Sequence, residues 1–369
     1  MRSGERRLCI VSPCHWTGGF GGSEQQISLL LDVLVAQTRF DITYVARQAD
    51  PAFQPAGYKV EQINVSPFSM RVGNLLDARP LLAALHKIRP HVIYQRVGGA
   101  YTGIAAYYAK RNNCKLVWHI SSEMNVLPFR MDKNRSSNTV SRYIEKKALE
   151  YGIRNSTSII AQTEQQAGLL KKHYGVTAAR IVPNFQPVPV EPKKQDTPVK
   201  VVWVSNLKPM KRPELFIDLA KKYQSDVDVK FIMIGRADNS PWCRQLIQKI
   251  KEVRSLDYVG ELAQEEVNAV LAQSHIFVNT SSYEGFPNTF IQAWMREVPV
   301  VSLDVDPDNI LSSRSIGYCS GSFTALCRDI EKLIGDRQLR QSMGSSARGY
   351  AIENHSEKNI ESVVKELVG

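Results

Sequence analysis

The sequence predicts an α/β chain of two Rossmann-like domains, each built on a doubly wound parallel sheet. Three observations carry that expectation. Short apolar runs recur along the whole chain, each followed by a stretch of helical period. The runs are apolar through most of their length instead of alternating, which is the pattern of strands covered on both faces. A proline-rich, charged segment, PNFQPVPVEPKKQDTPVK at 183–200, separates two halves of similar size.

The first half supplies strand candidates RLCIVSP, FDITYVAR, PHVIYQR, KLVWHIS and TSIIAQT. The second supplies VKVVWVSN, VKFIMIG, LDYVG, SHIFVNT and VPVVSLD. A boundary at residue 190 gives a first domain at 1–190 and a second at 191–345. The segment 346–369, SARGYAIENHSEKNIESVVKELVG from Ser346, reads as a terminal amphipathic helix, expected to cross back to the first domain. Two domains also suit 369 residues, more than a single core of usual size organises. Ligands of such sheets bind beyond the carboxyl ends of the strands, so the domains are expected to face each other across a cleft there.

Apolar residues make up 43% and charged residues 22%, as in a soluble globular protein. No apolar run is long enough to span a bilayer. The basic start MRSGERRLCIVSPCHW has too short an apolar part for a signal peptide and reads as a first strand. The six cysteines have no two-residue spacing of a metal or redox site, so reduced thiols in a cytoplasmic protein are expected. The net charge of +11 favours phosphates or an anionic membrane surface. No nucleic-acid-binding signature accompanies it.

Four strand-end loops have residues suited to chemistry. SPCHWTGGFGGSEQQ opens a helix after a glycine loop in which Gly21 and Gly22 let backbone approach a ligand, although the loop alone could equally be a flexible turn. His119 ends the run KLVWHIS, after the fourth predicted strand, where a group could face the cleft; a lone histidine is more often structural. In VSNLKPMKRPE, Lys211 and Arg212 precede a helix begun by Pro213, and two cations there suit a diphosphate, although alone they could equally be a solvated basic turn. In SSYEGFPNTFIQAW, Glu284 lies in a loop and Gln292 in the following helix.

Taken together, GGFGGSE, His119, RIVPNF, NLKPMKRPE and SSYEGFPNTFIQA resemble the retaining glycosyltransferases of family 4 (group 1), which have the GT-B fold. The resemblance covers nearly the whole chain. It implies a nucleotide sugar held by the second domain, an acceptor held by the first, and no metal ion or cofactor. It assigns His119, Lys211 and Glu284 to the catalytic set. Gly21, Gly22, Asn206, Arg212, Gly285, Phe286, Asn288, Thr289 and Gln292 fall to donor binding. Two positions depart from the family pattern. Asn206 stands where an arginine is usual, and Gln292 where a second glutamate accepts from the ribose hydroxyls. Gln292 keeps a carbonyl acceptor, so a weaker donor contact is expected, not a dead site. Arg212 is the expected substitute for the missing arginine, with Arg236 in reserve.

The expected reaction moves a hexose or N-acetylhexosamine from a UDP-sugar, or from GDP-mannose, to a glycan or lipid-linked saccharide in surface polysaccharide or glycoconjugate synthesis. Other readings are a nucleotide-sugar epimerase and a non-catalytic sugar-nucleotide or glycan binder. The stretch 127–154 mixes Leu127, Phe129 and Met131 with many cations. It reads either as a solvated helix with a loop or as a contact with an anionic membrane, peripheral at the inner face of the cytoplasmic membrane.

Overall fold

The computed structural model describes residues 6–18, 21–65, 74–129, 139–190 and 194–369. The chain forms two compact units. One comprises Met1–Asn184 with Lys358–Gly369, the other Phe185–Glu357.

In the first unit the order is β1 (Arg7–Val11), α1 (Gly22–Gln37), β2 (Asp41–Ala46), β3 (Lys59–Gln62), α2 (Ala78–Ile88), β4 (Val92–Gln95), α3 (Ala100–Arg111) and β5 (Lys115–His119). Then follow α4 (Glu123–Val126), α5 (Thr139–Asn155), β6 (Ser158–Ala161), α6 (Glu164–Tyr174) and β7 (Arg180–Ile181). The seven strands make a parallel sheet ordered β3-β2-β1-β4-β5-β6-β7. The central strands are buried along nearly their whole length because helices cover both faces.

The second unit runs β8 (Val199–Val204), α7 (Pro213–Lys221), β9 (Val229–Ile234), α8 (Pro241–Lys251), β10 (Leu256–Gly260), α9 (Gln264–Ala272), β11 (Ile276–Asn279) and α10 (Asn288–Trp294). It continues with β12 (Val300–Ser302), α11 (Ile310–Arg314), β13 (Gly317–Cys319), α12 (Phe323–Gly335) and α13 (Arg337–Asn354). Its parallel sheet is ordered β10-β9-β8-β11-β12-β13. In the core on one face Trp203 of β8 stacks on Phe216 of α7, which in turn meets Phe231 of β9 edge to face.

Three strands have no counterpart among the sequence runs. Lys59–Gln62 is a polar edge strand, Arg180–Ile181 has two exposed residues, and Gly317–Cys319 is only three long. His119 therefore ends the fifth strand, not the fourth. The domain division falls at 184/185, ahead of the expected residue 190. The proline-rich stretch belongs to the second unit because its backbone is tied there. Gln186 N–H donates to the His355 carbonyl (2.8 Å), and Arg348 Nη2 donates to the Pro189 carbonyl (3.0 Å).

The expected helix at 346–369 is two helices. α13 ends at Asn354, and α14 (Lys358–Val368) belongs to the first unit. There Glu366 of α14 pairs with Arg180 (3.0 Å) and Lys115 (3.5 Å), and the Val368 carbonyl accepts from Arg6.

Candidate functional site

The strand order of the second sheet reverses around β8, which lies between β9 and β11. Loops leaving the two strands at such a switch point diverge and leave a crevice. The loop after β8 carries Asn206, Lys211 and Arg212. The loop after β11 carries Glu284, Gly285 and Phe286.

The β8 loop tightens through a 3-10 turn, Pro209–Lys211, in which Lys211 N–H donates to the Lys208 carbonyl (2.9 Å). Arg212 takes a left-handed conformation (φ 48°, ψ 52°), and Pro213 starts α7 where its missing N–H is not needed. The β11 loop closes on this turn. Ser282 N–H donates to the Met210 carbonyl (3.0 Å), and Thr280 Oγ1 donates to the Lys211 carbonyl (2.6 Å). Thr280 Oγ1 in turn accepts from Trp203 Nε1 (2.9 Å). On this platform Lys211 Nζ pairs with Glu284 Oε1, both side chains mostly shielded from solvent.

The structure differs from expectation at Arg212. Its Nε donates to the Thr280 carbonyl (2.6 Å), and its Nη2 to the Ser281 carbonyl (3.0 Å) and the Asp304 carboxylate. This guanidinium ties the two loops and is poorly placed to stand in for an arginine at Asn206. Asn206 Oδ1 accepts from the Arg236 backbone N–H (3.4 Å). The Arg236 side chain is more than half exposed, with a long 3.9 Å contact to Glu261. Between them Gly235 (φ 154°) admits no side chain, since a Cβ would overlap the Ser205 carbonyl oxygen.

Pro287 caps α10. Phe286 is buried against His355 (4.6 Å between centroids) and Trp294 (6.2 Å), which fixes the end of the loop. Gly285 and Thr289 are half-buried, and Asn288 is buried. Gln292 is only 2% exposed, and its Nε2 is buried without a hydrogen-bond partner.

The remaining sequence-selected residues lie in the first unit. Gly21 caps α1 with extended backbone and no side-chain cap, Gly22 begins the helix, and the Glu24 carboxylate lies over Gly21. Burial pushes the Glu24 carboxyl up, against the opposing effects of a backbone hydrogen bond and the Arg96 charge.

His119 is 1% exposed, and both ring nitrogens are engaged. Nδ1 accepts from Arg96 Nη1 (2.8 Å) and from the Tyr94 hydroxyl (2.9 Å), and Nε2 donates to the Val182 carbonyl (3.3 Å). Burial, helped by the Arg96 charge, holds the ring well below its ordinary value, so it is neutral with its proton on Nε2. The expectation of a histidine open to substrate meets a buried, fully engaged ring.

Arg96 was missed in the sequence. It is itself 1% exposed and spans Tyr94, His119 and Asn184. The signal was available: a charged residue closes the apolar run PHVIYQR.

Among the described residues no group of three or more His, Cys, Asp or Glu is placed to hold a metal ion. No described helix is long and apolar enough to cross a membrane. All six cysteines are free, three of them buried.

Two family models match the chain. Residues 20–186 match Glycosyltransferase Family 4, and residues 185–350 match Glycosyl transferases group 1. The chain belongs to the family 4, group 1 glycosyltransferases. This family member has the GT-B fold.

Among solved structures it resembles a sucrose-phosphate synthase from Thermosynechococcus elongatus (TM-score 0.79, 13% identity, 99% of this chain and 98% of that one). It also resembles Anabaena Alr3699/HepE in complex with UDP and glucose (TM-score 0.77, 17% identity, 99% of both chains).

By sequence it is 26% identical over 223 residues to poly(ribitol-phosphate) alpha-N-acetylglucosaminyltransferase of Staphylococcus aureus (strain COL), covering 58% of this chain and 45% of that protein. It is 24% identical over 195 residues to N-acetyl-alpha-D-glucosaminyl L-malate synthase of Bacillus anthracis, covering 52% of this chain and 46% of that protein. These matches span less than half the length of either relative.

Proposed function

We propose that the chain is a retaining glycosyltransferase. It moves a hexose or N-acetylhexosamine from a nucleotide sugar, UDP-linked in preference to GDP-mannose, to a glycan or lipid-linked saccharide in surface polysaccharide or glycoconjugate synthesis. The observation that carries the reading is the Lys211–Glu284 pair at the switch point of the second sheet. A donor entering there separates the pair. The diphosphate takes the Lys211 ammonium, and the sugar hydroxyls donate to the Glu284 carboxylate. The bond from the anomeric carbon to the β-phosphate oxygen breaks, and the acceptor oxygen bonds to that carbon on the same face. The acceptor proton passes to a phosphate oxygen of the departing nucleoside diphosphate. Lys211 and Arg236 offset the charge that develops there, without a metal ion.

Names of relatives support the donor class: UDP and glucose occupy the HepE complex, and both sequence relatives are N-acetylglucosaminyl enzymes by name. The proposed location is cytoplasmic, with peripheral contact to an anionic membrane through 127–154. Part of that stretch, 130–138 with Met131, lies outside the described residues.

Calorimetry of the full chain against UDP-glucose, UDP-N-acetylglucosamine and GDP-mannose in EDTA tests the reading. Binding of one donor in the micromolar range, followed by a product whose anomeric coupling matches the donor's, is expected. Absence of binding to every donor would sink it. Binding without transfer to any saccharide would favour the non-catalytic binder, a reading to which the buried His119 lends weight.

A further inference from the structure

The second unit has a polar cavity at the end of its sheet remote from Lys211 and Glu284. Its volume is about 320 Å³, the low end of the range for small-molecule sites. It opens where the strands begin: His275 of its wall just precedes β11, and Glu297 lies in the turn ahead of β12. Lys194 enters from the chain before β8. α13 closes the cavity with Arg340, Gln341 and Ser345, the last two four residues apart and so on one face of the helix.

Two cations of this wall lack a counter-charge. Lys194 Nζ donates to the Glu297 main-chain carbonyl (3.0 Å), and Arg340 Nη1 to the Leu333 (2.5 Å) and Ile334 (3.1 Å) carbonyls. Neither makes an ion pair among the described residues, although Arg340 is only 6% exposed. Asp196, also in the wall, is taken by Arg337 (2.8 Å). The surplus of positive charge acts on the neighbouring groups. Burial pushes the Lys194 ammonium down to about 7; the Glu297 carboxylate opposes this, and the Arg340 charge adds to it. His275 accepts from the Lys200 N–H on Nδ1 (3.0 Å) and donates from Nε2 to the Gln195 carbonyl (2.9 Å). Burial holds it at about 4, helped by the charges of Lys194, Arg340 and Lys200. Buried cations are ordinarily paired within the fold. Here an anion from outside completes the set.

The backbone around the cavity is fixed. Glu297 has φ 56°, the left-handed conformation that glycine or asparagine usually supplies at a helix end. Gly344 of α13 lies against it, and a Cβ there would overlap the Glu297 carbonyl oxygen. This close approach holds the turn, and with it the carbonyl that Lys194 uses.

The lining also selects what accompanies the anion. The volume exceeds what a bare phosphate fills. Glu297 makes no ion pair among the described residues, so its carboxylate can accept from hydroxyls, while Gln341 and Ser345 both donate and accept. We propose that the cavity binds the phosphate monoester of a small polyhydroxylated molecule. The phosphate lies between Lys194 and Arg340 through charge-assisted hydrogen bonds, and the hydroxyls meet Glu297, Gln341 and Ser345. The proposal uses none of the donor residues and stands apart from the donor reading.

Calorimetry and thermal unfolding of the full chain test it, with glucose 6-phosphate as the probe. Inorganic phosphate, sulfate and methyl glucoside are the comparisons. Wild type is expected to bind glucose 6-phosphate at least tenfold more tightly than inorganic phosphate or methyl glucoside, and to gain unfolding midpoint with it. Lys211→Ala should bind it as wild type does. Lys194→Gln and Ser345→Asp should each weaken it at least tenfold, the second by setting a carboxylate on the exposed rim. Lys194→Gln removes a buried cation without a counter-charge, so its midpoint without ligand should equal or exceed that of wild type.

Absence of glucose 6-phosphate binding would overturn the proposal. Binding lost in Lys211→Ala and kept in Lys194→Gln would place the phosphate in the donor site instead. Equal affinity for sulfate, inorganic phosphate and glucose 6-phosphate would reduce the effect to the net positive charge of the chain and sink the ligand class. UDP-sugar binding by Lys194→Gln and Ser345→Asp should match wild type, which separates failure here from failure of the donor reading.

Discussion

Lys211 and Glu284 stand 73 positions apart and meet as an ion pair, each presented by a loop that leaves a central strand of the second sheet. The pair fills the position where the proposed donor places its diphosphate and sugar. Substitutions at its two ends therefore have different expected effects. Lys211→Ala should lower turnover by about 10²–10³-fold, the scale of one lost charge-stabilising group. Glu284→Gln leaves the ammonium free. UDP binding should stay within about threefold of wild type, a change of well under 1 kcal/mol, while the added affinity of the sugar is lost. Calorimetry with UDP and with the UDP-sugar, run side by side, reads both.

Arg212 and Arg236 should separate stability from binding. Arg212→Ala removes donors to two carbonyls and a carboxylate, so a loss of about 2 kcal/mol in unfolding free energy is expected, with disorder in both loops. Arg236→Ala removes an exposed cation with one long contact. Its unfolding midpoint should not move, and its UDP affinity should fall roughly fivefold to tenfold, about 1 kcal/mol. Equal UDP affinity in Arg236→Ala and wild type would remove Arg236 from the donor site.

Gln292 has a buried amide nitrogen with no partner. An unmatched donor costs about 1–3 kcal/mol, so Gln292→Met should leave the unfolding midpoint unchanged or raise it. If the amide oxygen reads the ribose, the same variant loses affinity for the nucleoside diphosphate. A variant both less stable and unaltered in binding would contradict this account. Denaturant titration and calorimetry on one preparation decide it.

Acid should loosen α14 from the first unit. Burial alone would raise the Glu366 carboxyl, but the Arg180 and Lys115 cations beside it outweigh that, and the group sits below its ordinary value near 4.5. A carboxyl depressed in the folded state contributes stability above its unfolded value, and that contribution is lost as pH falls below about 4.5 through the folded value. Wild type should therefore lose thermal midpoint from pH 5 downward more steeply than Glu366→Gln, while the variant is the less stable of the two at pH 7. Parallel pH profiles would refute the assignment.

The fold was legible because its central strands are apolar on both faces, and valine-rich runs such as VKVVWV have few other destinies. Lys59–Gln62 escaped because an edge strand needs no apolar run, only a neighbour to bond. The division of the chain was misplaced by six residues because proline content marks extended backbone but not what that backbone rests on. At the site, the position of Lys211 beside the β11 loop followed from strand-end logic and from the family resemblance. The commitment of Arg212 did not, because it depends on where the Thr280 and Ser281 carbonyls point. His119 was read as open because a residue at a strand end can face outward. Its burial is set by Tyr94 of the neighbouring β4, which pairs in register with Val117, and by Arg96 just past the end of that strand, and no local pattern encodes that.

The hydroxyl of Thr280 takes a proton donor from Trp203 and gives its own to the Lys211 carbonyl, while Arg212 holds the Thr280 carbonyl from the other side. Both loops are thus riveted to the interior of their own sheet through one small side chain. An incoming ligand meets a surface whose configurational freedom was surrendered during folding, so little ordering remains to be done at the moment of association. Thr280→Val, which keeps the shape and deletes the hydroxyl, would return that freedom to the empty site. The loss should register in the entropy of nucleotide binding before it registers in the enthalpy.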